Sequence, residues 1–196
     1  MSHKEDEALL QAVAKGDQSA LRILYDRYAH TVHAFVLRRL QEPALAQEVV
    51  NDSFLQVWSA AARFENRSSV KTWLLSIAKF KAIDALRSQS SQHAHETPSA
   101  DHELELMRMP ADTQLEPEQQ MHALQQSHHL AACFEALPID QRESMHLAYV
   151  EGMSTLEISD VLQIPSGTVG TRIHHAKAKL KACLSRRLNA GKEGAK

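Results

Sequence analysis

One segment constrains the fold of this chain more than any other, because it contains two helix patterns separated by a very short break. Ser154, a residue type that caps helix N-termini, is followed by the amphipathic run TLEISDVL. After a break that ends at Pro165, a second helix begins near Ser166 and runs through IHHAKAKLKACL. A short helix, a tight turn and a longer helix with a basic end are typical of a helix-turn-helix, whose second helix fits the major groove of DNA. This pattern predicts an all-α C-terminal part with a DNA-binding element.

The second helix of this pattern carries polar side chains that can reach base edges, namely Thr171, Arg172, His174, His175 and Lys177. Lys179, Lys181, Arg186 and Arg187 follow and can extend a contact to phosphates. A further helix is expected from Leu137-Pro138 to about Val150, where Gly152 ends it because glycine accepts a left-handed conformation. From the pattern alone, a helical hairpin with a solvated polar face is the alternative to DNA binding.

The first 90 residues are also expected to be helical, in three or four helices around a small core. Only 5% of residues are aromatic and six are glycine, a composition that favours helices over sheets. Pro43 suits a helix's first turn, and Ser68 or Ser69 can cap the next helix. Apolar residues recur at steps of three and four, the spacing of a buried helix face. The three stripes are Leu21, Leu24, Tyr25, Tyr28, Val32 and Phe35; Leu45, Val49, Val50, Phe54, Val57 and Trp58; and Val70, Trp73, Leu74 and Ile77.

The segment between these parts has a different composition. Residues 91–136 carry a net charge of −7, whereas residues 1–90 carry +2 and residues 137–196 carry +3. Pro98, Pro110 and Pro117 lie in the segment, which has too few bulky apolar residues to bury a core of its own. We therefore expect two small helical domains, over residues 1–90 and 131–196, joined by a flexible acidic linker over residues 91–130.

Several classes of protein are disfavoured by what the sequence lacks. No stretch approaches the roughly 20 apolar residues that span a membrane, and the residues MSHKEDEALL lack the apolar run of a signal peptide. We expect a cytoplasmic protein without direct membrane insertion. No phosphate-cradling loop or catalytic constellation occurs, which argues against an enzyme. Cys133 and Cys183 lie far apart in apolar helical patterns, so we expect buried free thiols rather than a disulfide.

The twelve histidines raise the question of a metal site. No C-x-x-C pair is present, and Cys183 is far in sequence from the histidines of the acidic segment. We expect solvated histidines, with no bound metal and no other cofactor. The histidines concerned are His93, His95, His102, His128 and His129.

The C-terminal part resembles a known family. The stretch LPIDQRESMHLAYVEGMSTLEISDVLQIPSGTVGTRIHHAKAKL is similar to region 4 of sigma-70-family RNA polymerase sigma factors, especially the small extracytoplasmic-function (ECF) group. The pattern of that group reads approximately LPxxxRxxxxLxxxEGxSxxEIAxxLxxPxGTVxSRxxRAxxxL. Relatives commonly have Lys or Arg where this chain has Gly170, and often Arg at His175, so two contacts are lost or made pH-dependent. The resemblance implies that the promoter −35 element is read by Gly170, Thr171, Arg172, His174, His175 and Lys177.

An independent resemblance links LAQEVVNDSFLQVW to a region 2 helix of the same group, of the type DAEDLVQEVFLRVW. That helix docks on the clamp helices of the largest polymerase subunit. The resemblance implies a polymerase-binding role for Glu48, Asn51 and Asp52. Without the resemblance, the three residues belong to an ordinary solvated helix face.

The stretch RFENRSSVKTWLLSIAKFKAIDALR is similar to the signature FRGESSFRTWLYRIARNxxxDxxR, which opens DNA and reads the −10 element. Such chemistry needs cations for the separated strands and a pocket or aromatic surface for an unstacked base. Trp73 could supply that surface, although a Trp on an apolar stripe is more often part of a core. Val70 and Phe80 replace the Phe and Asn of the family pattern. The −10 residues implied are Asn66, Arg67 and Ser68 in a reading loop, with Lys71, Trp73, Lys79, Lys81 and Arg87.

Taken together, the resemblances imply an ECF-type sigma factor that directs core RNA polymerase to promoter DNA and catalyses nothing itself. They also imply control by an anti-sigma factor, in a stress response, and a linker that threads a basic channel of the polymerase. Two other hypotheses are open at this point. One is a stand-alone helix-turn-helix regulator with an N-terminal dimerisation or sensing bundle. The other is an adaptor that binds proteins only.

Overall fold

The computed structural model describes residues 3–92 and 127–193, and these residues form two helical bundles. The N-terminal bundle consists of α1 (His3–Ala14), α2 (Gln18–Leu40), α3 (Pro43–Ala60) and α4 (Val70–Gln92), with a 3₁₀ turn at Ala61–Arg63. The C-terminal bundle consists of α5 (residues 127–135), α6 (Ile139–Tyr149), α7 (Thr155–Leu162) and α8 (Ser166–Glu193). The prediction of an all-α chain with two helical domains is confirmed. The boundaries predicted for the linker stay a prediction, because residues 93–126 lie outside the described residues.

Local sequence signals explain where the helices of the N-terminal bundle begin. The Asp17 side chain accepts hydrogen bonds from the backbone N–H groups of Ser19 at 2.8 Å and Ala20 at 3.1 Å, which caps α2. Pro43 occupies the first turn of α3, as predicted, where its missing N–H has no helical partner to lose. Of the two serines proposed to cap α4, Ser69 does so, accepting the N–H of Thr72 at 3.0 Å.

The three predicted apolar stripes face a common core. Their central members are buried and their outer members lie half-buried at its edge. Burial of such side chains stabilises the fold by about 1.5–3 kcal/mol each. The buried members are Leu24, Val32 and Phe35 of α2, Val49, Val50, Phe54 and Val57 of α3, and Val70 and Leu74 of α4.

Helix α1 was not predicted from the sequence. It buries Leu10 and Val13 in the core, and the largely buried Asp6 carboxylate accepts hydrogen bonds from Arg27 and Tyr28 of α2. Burial, and then the bond to Asp6, raise the pKa of Tyr28 well above its usual value. Apolar periodicity did not predict α1, because its first turn is charged and its apolar face is short. A polar contact supplies the rest of what fixes this helix.

The two bundles pack directly against each other, with α7 lying on α4 and α6 on α2. One apolar cluster continues from the N-terminal core through the C-terminal bundle. No sequence pattern predicted this contact. The pattern of a helix shows which of its faces is buried, but it does not show which other helix covers that face. The C-terminal members of the cluster are Leu147, Met153, Ile158, Val161, Leu162 and Val169.

The prediction of two free thiols is wrong. Cys133 of α5 and Cys183 of α8 form a disulfide, with their Cα atoms 5.8 Å apart, although 50 residues separate them in sequence. Both cysteines do lie on apolar helix faces, as expected. The two faces meet because α5 and α8 pack together around a second small cluster. The apolar periodicity of one helix does not show which other helix it packs against. The cluster also includes Leu137, Met145, Ala176 and Leu180.

Candidate nucleic-acid and polymerase-binding surfaces

Helices α7 and α8 form the predicted helix-turn-helix. The Ser154 hydroxyl accepts the N–H of Glu157 at 3.3 Å, and the Glu157 carboxylate accepts the N–H of Ser154 at 2.9 Å, so a capping box starts α7. Gln163 ends this helix in a left-handed conformation with φ 50°, and α8 begins three residues later. Gly152, with φ +67°, makes the predicted left-handed break before α7. The motif is held by four buried side chains, Ile158, Val161, Leu162 and Val169.

The residues predicted to read the −35 element share the N-terminal half of α8. Gly170, Thr171, His174, His175 and Lys177 are exposed. The rings of His174 and His175 lie 5.9 Å apart, and open space surrounds Gly170. The basic residues further along α8 are exposed as well, so polar groups are exposed along this helix over several turns. These basic residues are Lys179, Lys181, Arg186 and Arg187.

Arg172 differs from its neighbours because it is half-buried and bonded within the C-terminal bundle. Its Nη2 donates to Asp140 Oδ2 of α6 at 2.9 Å. The Thr171 hydroxyl donates to the carbonyl of Gly167 at 2.9 Å, and Lys177 Nζ lies 5.0 Å from the ring centroid of Tyr149. An Arg172 contact to DNA therefore requires the guanidinium to leave, or to share, the Asp140 carboxylate.

The residues predicted to bind polymerase lie on the outward face of α3, where Glu48, Asn51 and Asp52 are all exposed. Asn51 Oδ1 accepts a hydrogen bond from Gln47 Nε2 at 3.1 Å. Leu55 lies one turn further along this face with 66% of its surface exposed. The sequence analysis did not single out Leu55. Its position outside the buried stripe of α3 would have indicated an exposed leucine. An apolar residue beside carboxylates suits a protein partner better than DNA.

The loop before α4 contains the three residues predicted to read the −10 element. Asn66 adopts a left-handed conformation with φ 55°, which asparagine accepts more readily than most residues. Arg67 is exposed and pairs with Glu65 at 2.7 Å, and Ser68 is half-buried. The structure therefore brings Asn66, Arg67 and Ser68 together at the N-terminus of α4.

The aromatic residues of this region divide between core and surface. Trp73 packs on Phe64 with ring centroids 5.1 Å apart and lies against the apolar core, as expected for a residue on the apolar stripe. Phe80, which replaces a family asparagine, is 51% exposed on α4. Lys79 Nζ lies 5.5 Å from the centroid of its ring. The exposed aromatic surface of α4 is thus supplied by Phe80 rather than by Trp73.

Two lysines predicted to hold the −10 strands are half-buried and bonded to the C-terminal bundle. Lys71 Nζ lies 2.5 Å from Glu151 Oε2 and donates to the Glu151 carbonyl at 3.0 Å. Lys79 donates to the carbonyl of Leu162 at the end of α7, and burial lowers its pKa. Lys81 is half-buried and Arg87 is exposed, with Arg87 Nη1 3.6 Å from Asp84 Oδ1. In this arrangement the ammonium groups of Lys71 and Lys79 are bonded to the C-terminal bundle, so DNA binding by either lysine requires that bundle to move.

A cluster of charged groups lies where α6 meets α2 and where Glu151, just after α6, meets Lys71 of α4. Arg39 of α2 donates to both carboxylate oxygens of Glu143 of α6, at 2.6 and 2.8 Å. His146 is 1% exposed, and its Nε2 lies 3.5 Å from both Arg38 Nη1 and Glu151 Oε1. Its Nδ1 is buried without a hydrogen-bond partner. Such groups favour one arrangement of the two bundles, because an unpaired buried charge is costly.

Burial and hydrogen bonding perturb the pKa values of this cluster in opposite directions. Burial lowers the pKa of His146, and the hydrogen bond to Glu151 offsets this only in part. Burial would raise the pKa of Glu151, but the hydrogen bonds from His146 and Lys71 and the positive charge of Lys71 lower it to about 2. At neutral pH the cluster therefore contains a neutral imidazole beside an ionised carboxylate.

Two findings bear on other functions considered from the sequence. Among residues 3–92 and 127–193, no three His, Cys, Asp or Glu side chains come together as metal ligands. Of the histidines singled out, His128 is exposed and His129 half-buried, while His93, His95 and His102 lie outside the described residues. No helix in the described part of the chain is long and apolar enough to cross a membrane.

Two family models match the chain, one to each bundle. Sigma-70 region 2 matches residues 24–92, from within α2 to the end of α4, and Sigma-70 region 4 matches residues 128–180, which contain the helix-turn-helix. The chain belongs to the sigma-70 family. The stand-alone regulator is not favoured, since the N-terminal bundle is sigma region 2 rather than a dimerisation or sensing module. Sigma factors are transcription initiation factors rather than enzymes.

Curated relatives extend the likeness to nearly the whole sigma factor. The chain is 29% identical over 187 residues to the ECF RNA polymerase sigma factor SigK of Mycobacterium sp. (strain JLS), covering 91% of this chain and 90% of that protein. It is also 29% identical over 189 residues to SigK of Mycolicibacterium vanbaalenii, covering 92% of this chain and 89% of the relative. The prediction of an ECF-type sigma factor is confirmed.

Solved structures share the fold. CnrH, in complex with the cytosolic domain of CnrY, has a TM-score of 0.63 and 24% identity, and the alignment covers 92% of this chain and 97% of CnrH. RpoE of Bartonella quintana, in complex with the anti-sigma factor NepR, has a TM-score of 0.60 and 20% identity over 84% of this chain and 96% of that chain. At these identities the likeness supports the fold alone.

Proposed function

We propose that this ECF-type sigma factor directs core RNA polymerase to promoters whose −35 element is read by α8 and whose −10 element is opened by α4 and the loop before it. The observation that carries the proposal is the presence of two exposed polar surfaces on two different bundles of one chain. The first is the N-terminal half of α8, and the second is the Asn66–Ser68 loop with the exposed side of α4. A single helix-turn-helix regulator would need only the first.

At the −35 element, α8 enters the major groove with Gly170 and His174 toward the bases. Gly170 has no side chain to hold the backbone away, so the helix can approach the groove closely. Arg172 exchanges its Asp140 contact for a phosphate or a guanine, which a guanidinium binds in two-point geometry. His174 and His175 replace permanent cations by groups whose charge depends on pH.

At the −10 element, opening is driven by binding to the separated strand, without nucleotide hydrolysis. Arg67, Lys81 and Arg87 supply positive charge along the strand, and the Asn66–Ser68 loop contacts a base directly. Lys71 and Lys79 join them only after the C-terminal bundle has moved away, because both now donate to that bundle. The outward face of α3, with Glu48, Asn51, Asp52 and Leu55, docks on the polymerase.

The contact between the two bundles suits regulation by a protein partner. It engages Lys71 and Lys79 and joins the two promoter-reading bundles in one arrangement, which promoter binding must release. A partner that strengthens this contact would keep the sigma factor inactive, and an anti-sigma factor is the partner class that we propose. Such control would operate in the cytoplasm, where the polymerase is, and would link transcription to a stress signal.

The test is transcription in vitro by purified core polymerase on a library of randomised promoters, with and without this chain. We expect start sites that depend on the chain and share two sequence elements at a fixed spacing. Sequence-specific binding of the chain alone to duplex DNA, with no initiation on addition of core polymerase, would favour the regulator instead. Binding to neither duplex DNA nor promoters would favour the adaptor.

A further inference from the structure

The distribution of aromatic side chains singles out Phe80. All ten Phe, Tyr and Trp residues of the chain lie within the described residues, and eight of them are buried or half-buried. The two exposed ones are Phe80 and Tyr149. Lys177 lies over the Tyr149 ring, within the C-terminal bundle. Phe80 alone is exposed on the bundle that is proposed to open DNA.

Phe80 is exposed on the side of α4 opposite its fully buried residues, and Trp73 and Ile77 at the start of this side pack half-buried against the edge of the core. Residues 73, 77, 80, 84 and 87 recur at three- and four-residue steps, so they share one side of this helix. The core side is formed by Leu74, Leu75, Ala78 and Ala82, all buried. With a rise of about 1.5 Å per residue, Phe80 lies about 10 Å along α4 from Trp73. The reading loop, α4 and Phe80 therefore form a continuous path.

Positive charge accompanies the ring, although Lys79 reaches a phosphate only once it has left the Leu162 carbonyl of the C-terminal bundle. Lys79 Nζ lies 5.5 Å from the Phe80 centroid, Lys81 is the next residue, and Arg87 is exposed two turns further along the same face. An exposed aromatic ring among cations is the arrangement that binds single-stranded nucleic acid, because bases stack on the ring and the cations contact phosphates. Duplex DNA offers no free base face, so the arrangement distinguishes an opened strand from a closed one.

We propose that Phe80 is the surface on which an unpaired base of the opened −10 strand stacks. This inference rests on the proposed function, and it assigns to Phe80 the aromatic role for which the sequence suggested Trp73. Trp73 packs on Phe64 against the apolar core, so its ring has less free surface than Phe80. Stacking tolerates any base, so Phe80 favours the open state while the Asn66–Ser68 loop selects the sequence.

The test compares Phe80→Ala and Phe80→Trp with the wild-type chain, each assembled with core polymerase. Two quantities are measured on a promoter that the wild-type holoenzyme uses: permanganate reactivity of unpaired thymines, and affinity for a single-stranded −10 oligonucleotide. Because Phe80→Ala removes one stacking contact, we expect it to weaken oligonucleotide binding about tenfold. Phe80→Trp should restore it, and its added indole fluorescence should be quenched by the oligonucleotide.

Ile23→Ala is the matched control, because Ile23 is 46% exposed on α2, outside the proposed path. It should change neither quantity, and all three variants should bind core polymerase and −35 duplex DNA as wild type does. Wild-type oligonucleotide affinity in Phe80→Ala would overturn the inference while leaving the sigma function intact. Loss of core binding in Phe80→Ala would also overturn it, in favour of polymerase docking. Failure of the wild-type holoenzyme to initiate anywhere would overturn the proposed function and the inference together.

Discussion

Arg39 of α2 and Glu143 of α6 form a two-point ion pair that joins the two bundles. The Arg39 Nε and Nη2 atoms lie 2.6 and 2.8 Å from the two carboxylate oxygens, and only 2% of the Glu143 side chain is exposed. The hydrogen bonds to Glu143 raise the pKa of Arg39 despite its partial burial. The pair thus lies within the interface rather than at its rim, and it bears on how the bundles separate.

Removing one partner of this pair should loosen the closed arrangement. Arg39→Met leaves the Glu143 carboxylate buried without its cation, which costs about 3–5 kcal/mol for a buried pair. We expect a larger radius of gyration in small-angle X-ray scattering and faster amide exchange along α6. Arg22→Met, which removes an exposed pair with Asp26, is the control and should change neither. The double variant Arg39→Met/Glu143→Met should lie close to wild type, and a double variant as open as the single one would contradict the pairing argument.

Mild acid should loosen the same contact through His146. Its pKa is lower when buried than the usual 6.5 of an exposed imidazole, so the closed arrangement binds fewer protons than the open one. The contribution of neutral His146 is therefore complete above about pH 6.5 and declines as the pH falls toward the lowered pKa. Glu151 acts at lower pH, because its contribution is lost only between its usual pKa of 4.5 and its lowered pKa of about 2. The charged groups around His146 are Arg38 of α2, Lys71 of α4 and Glu151 after α6.

The measurement is the radius of gyration and the amide exchange of α4 between pH 7.5 and 5.5. We expect wild type to open as the pH falls, His146→Gln to lose most of this dependence, and His175→Gln, on the exposed face of α8, to keep it. Circular dichroism should show unchanged helix content, which separates opening from unfolding. An unaltered pH response in His146→Gln would assign it to another group.

Arg172→Ala should lower transcription from the cognate promoter without weakening the binding of core polymerase. One lost contact to guanine or phosphate is worth about 1–3 kcal/mol, or roughly tenfold in promoter affinity. Arg172 has two possible roles, a contact to DNA and an ion pair that holds α8 on α6. Asp140→Ala separates them, because it removes the ion pair and leaves the guanidinium in place. If Arg172 contacts DNA, Asp140→Ala should keep or increase promoter affinity. An equal loss in both variants would show that Arg172 acts only by holding α8 on α6.

The double change Glu48→Lys/Asp52→Lys should have the reverse effect, weakening core binding while sparing the affinity of the isolated chain for −35 DNA. It inverts the charge of the α3 face that we propose for docking. Leu55→Ala should weaken core binding as well, by removing the apolar contact beside those carboxylates. Asp26→Lys, an exposed charge reversal on α2, is the control. Unchanged core affinity in both α3 variants would rule out this docking face.

Reduction of the Cys133–Cys183 disulfide should destabilise the C-terminal bundle selectively. A cross-link that closes a loop of this length stabilises a fold by about 4 kcal/mol in the chain-entropy description. We expect a lower unfolding temperature on addition of a thiol reductant, and the same shift in Cys133→Ala/Cys183→Ala without reductant. Amide exchange should rise in α5 and α8 and stay unchanged in the core of α2 and α3. A double-alanine variant as stable as the oxidised chain would contradict this.

Local features of this sigma factor were predictable because each depends on residues within a turn or two of one another. The Ser154 capping box, the left-handed Gly152, Pro43 at the start of α3 and the three apolar stripes all belong to this kind. The exposed residues of α8 and α3 followed from the same periodicity together with the family resemblance. Helix α1 was not predicted, because it is fixed in part by Asp6, a polar residue whose hydrogen-bond partners lie 21 and 22 residues away in sequence.

The sequence by itself therefore determined helices α2 to α4 and α6 to α8, the Ser154 cap, the helix-turn-helix and the membership of the sigma-70 family. Only the tertiary structure decided which faces meet: Cys133 with Cys183, Arg39 with Glu143, and Lys71 and Lys79 with the ends of helices in the other bundle. It also decided that Trp73 packs on the core while Phe80 stays exposed. The physical reason is that a helix pattern shows a face to be apolar or charged, whereas its partner is chosen by packing between segments 50 to 108 residues apart.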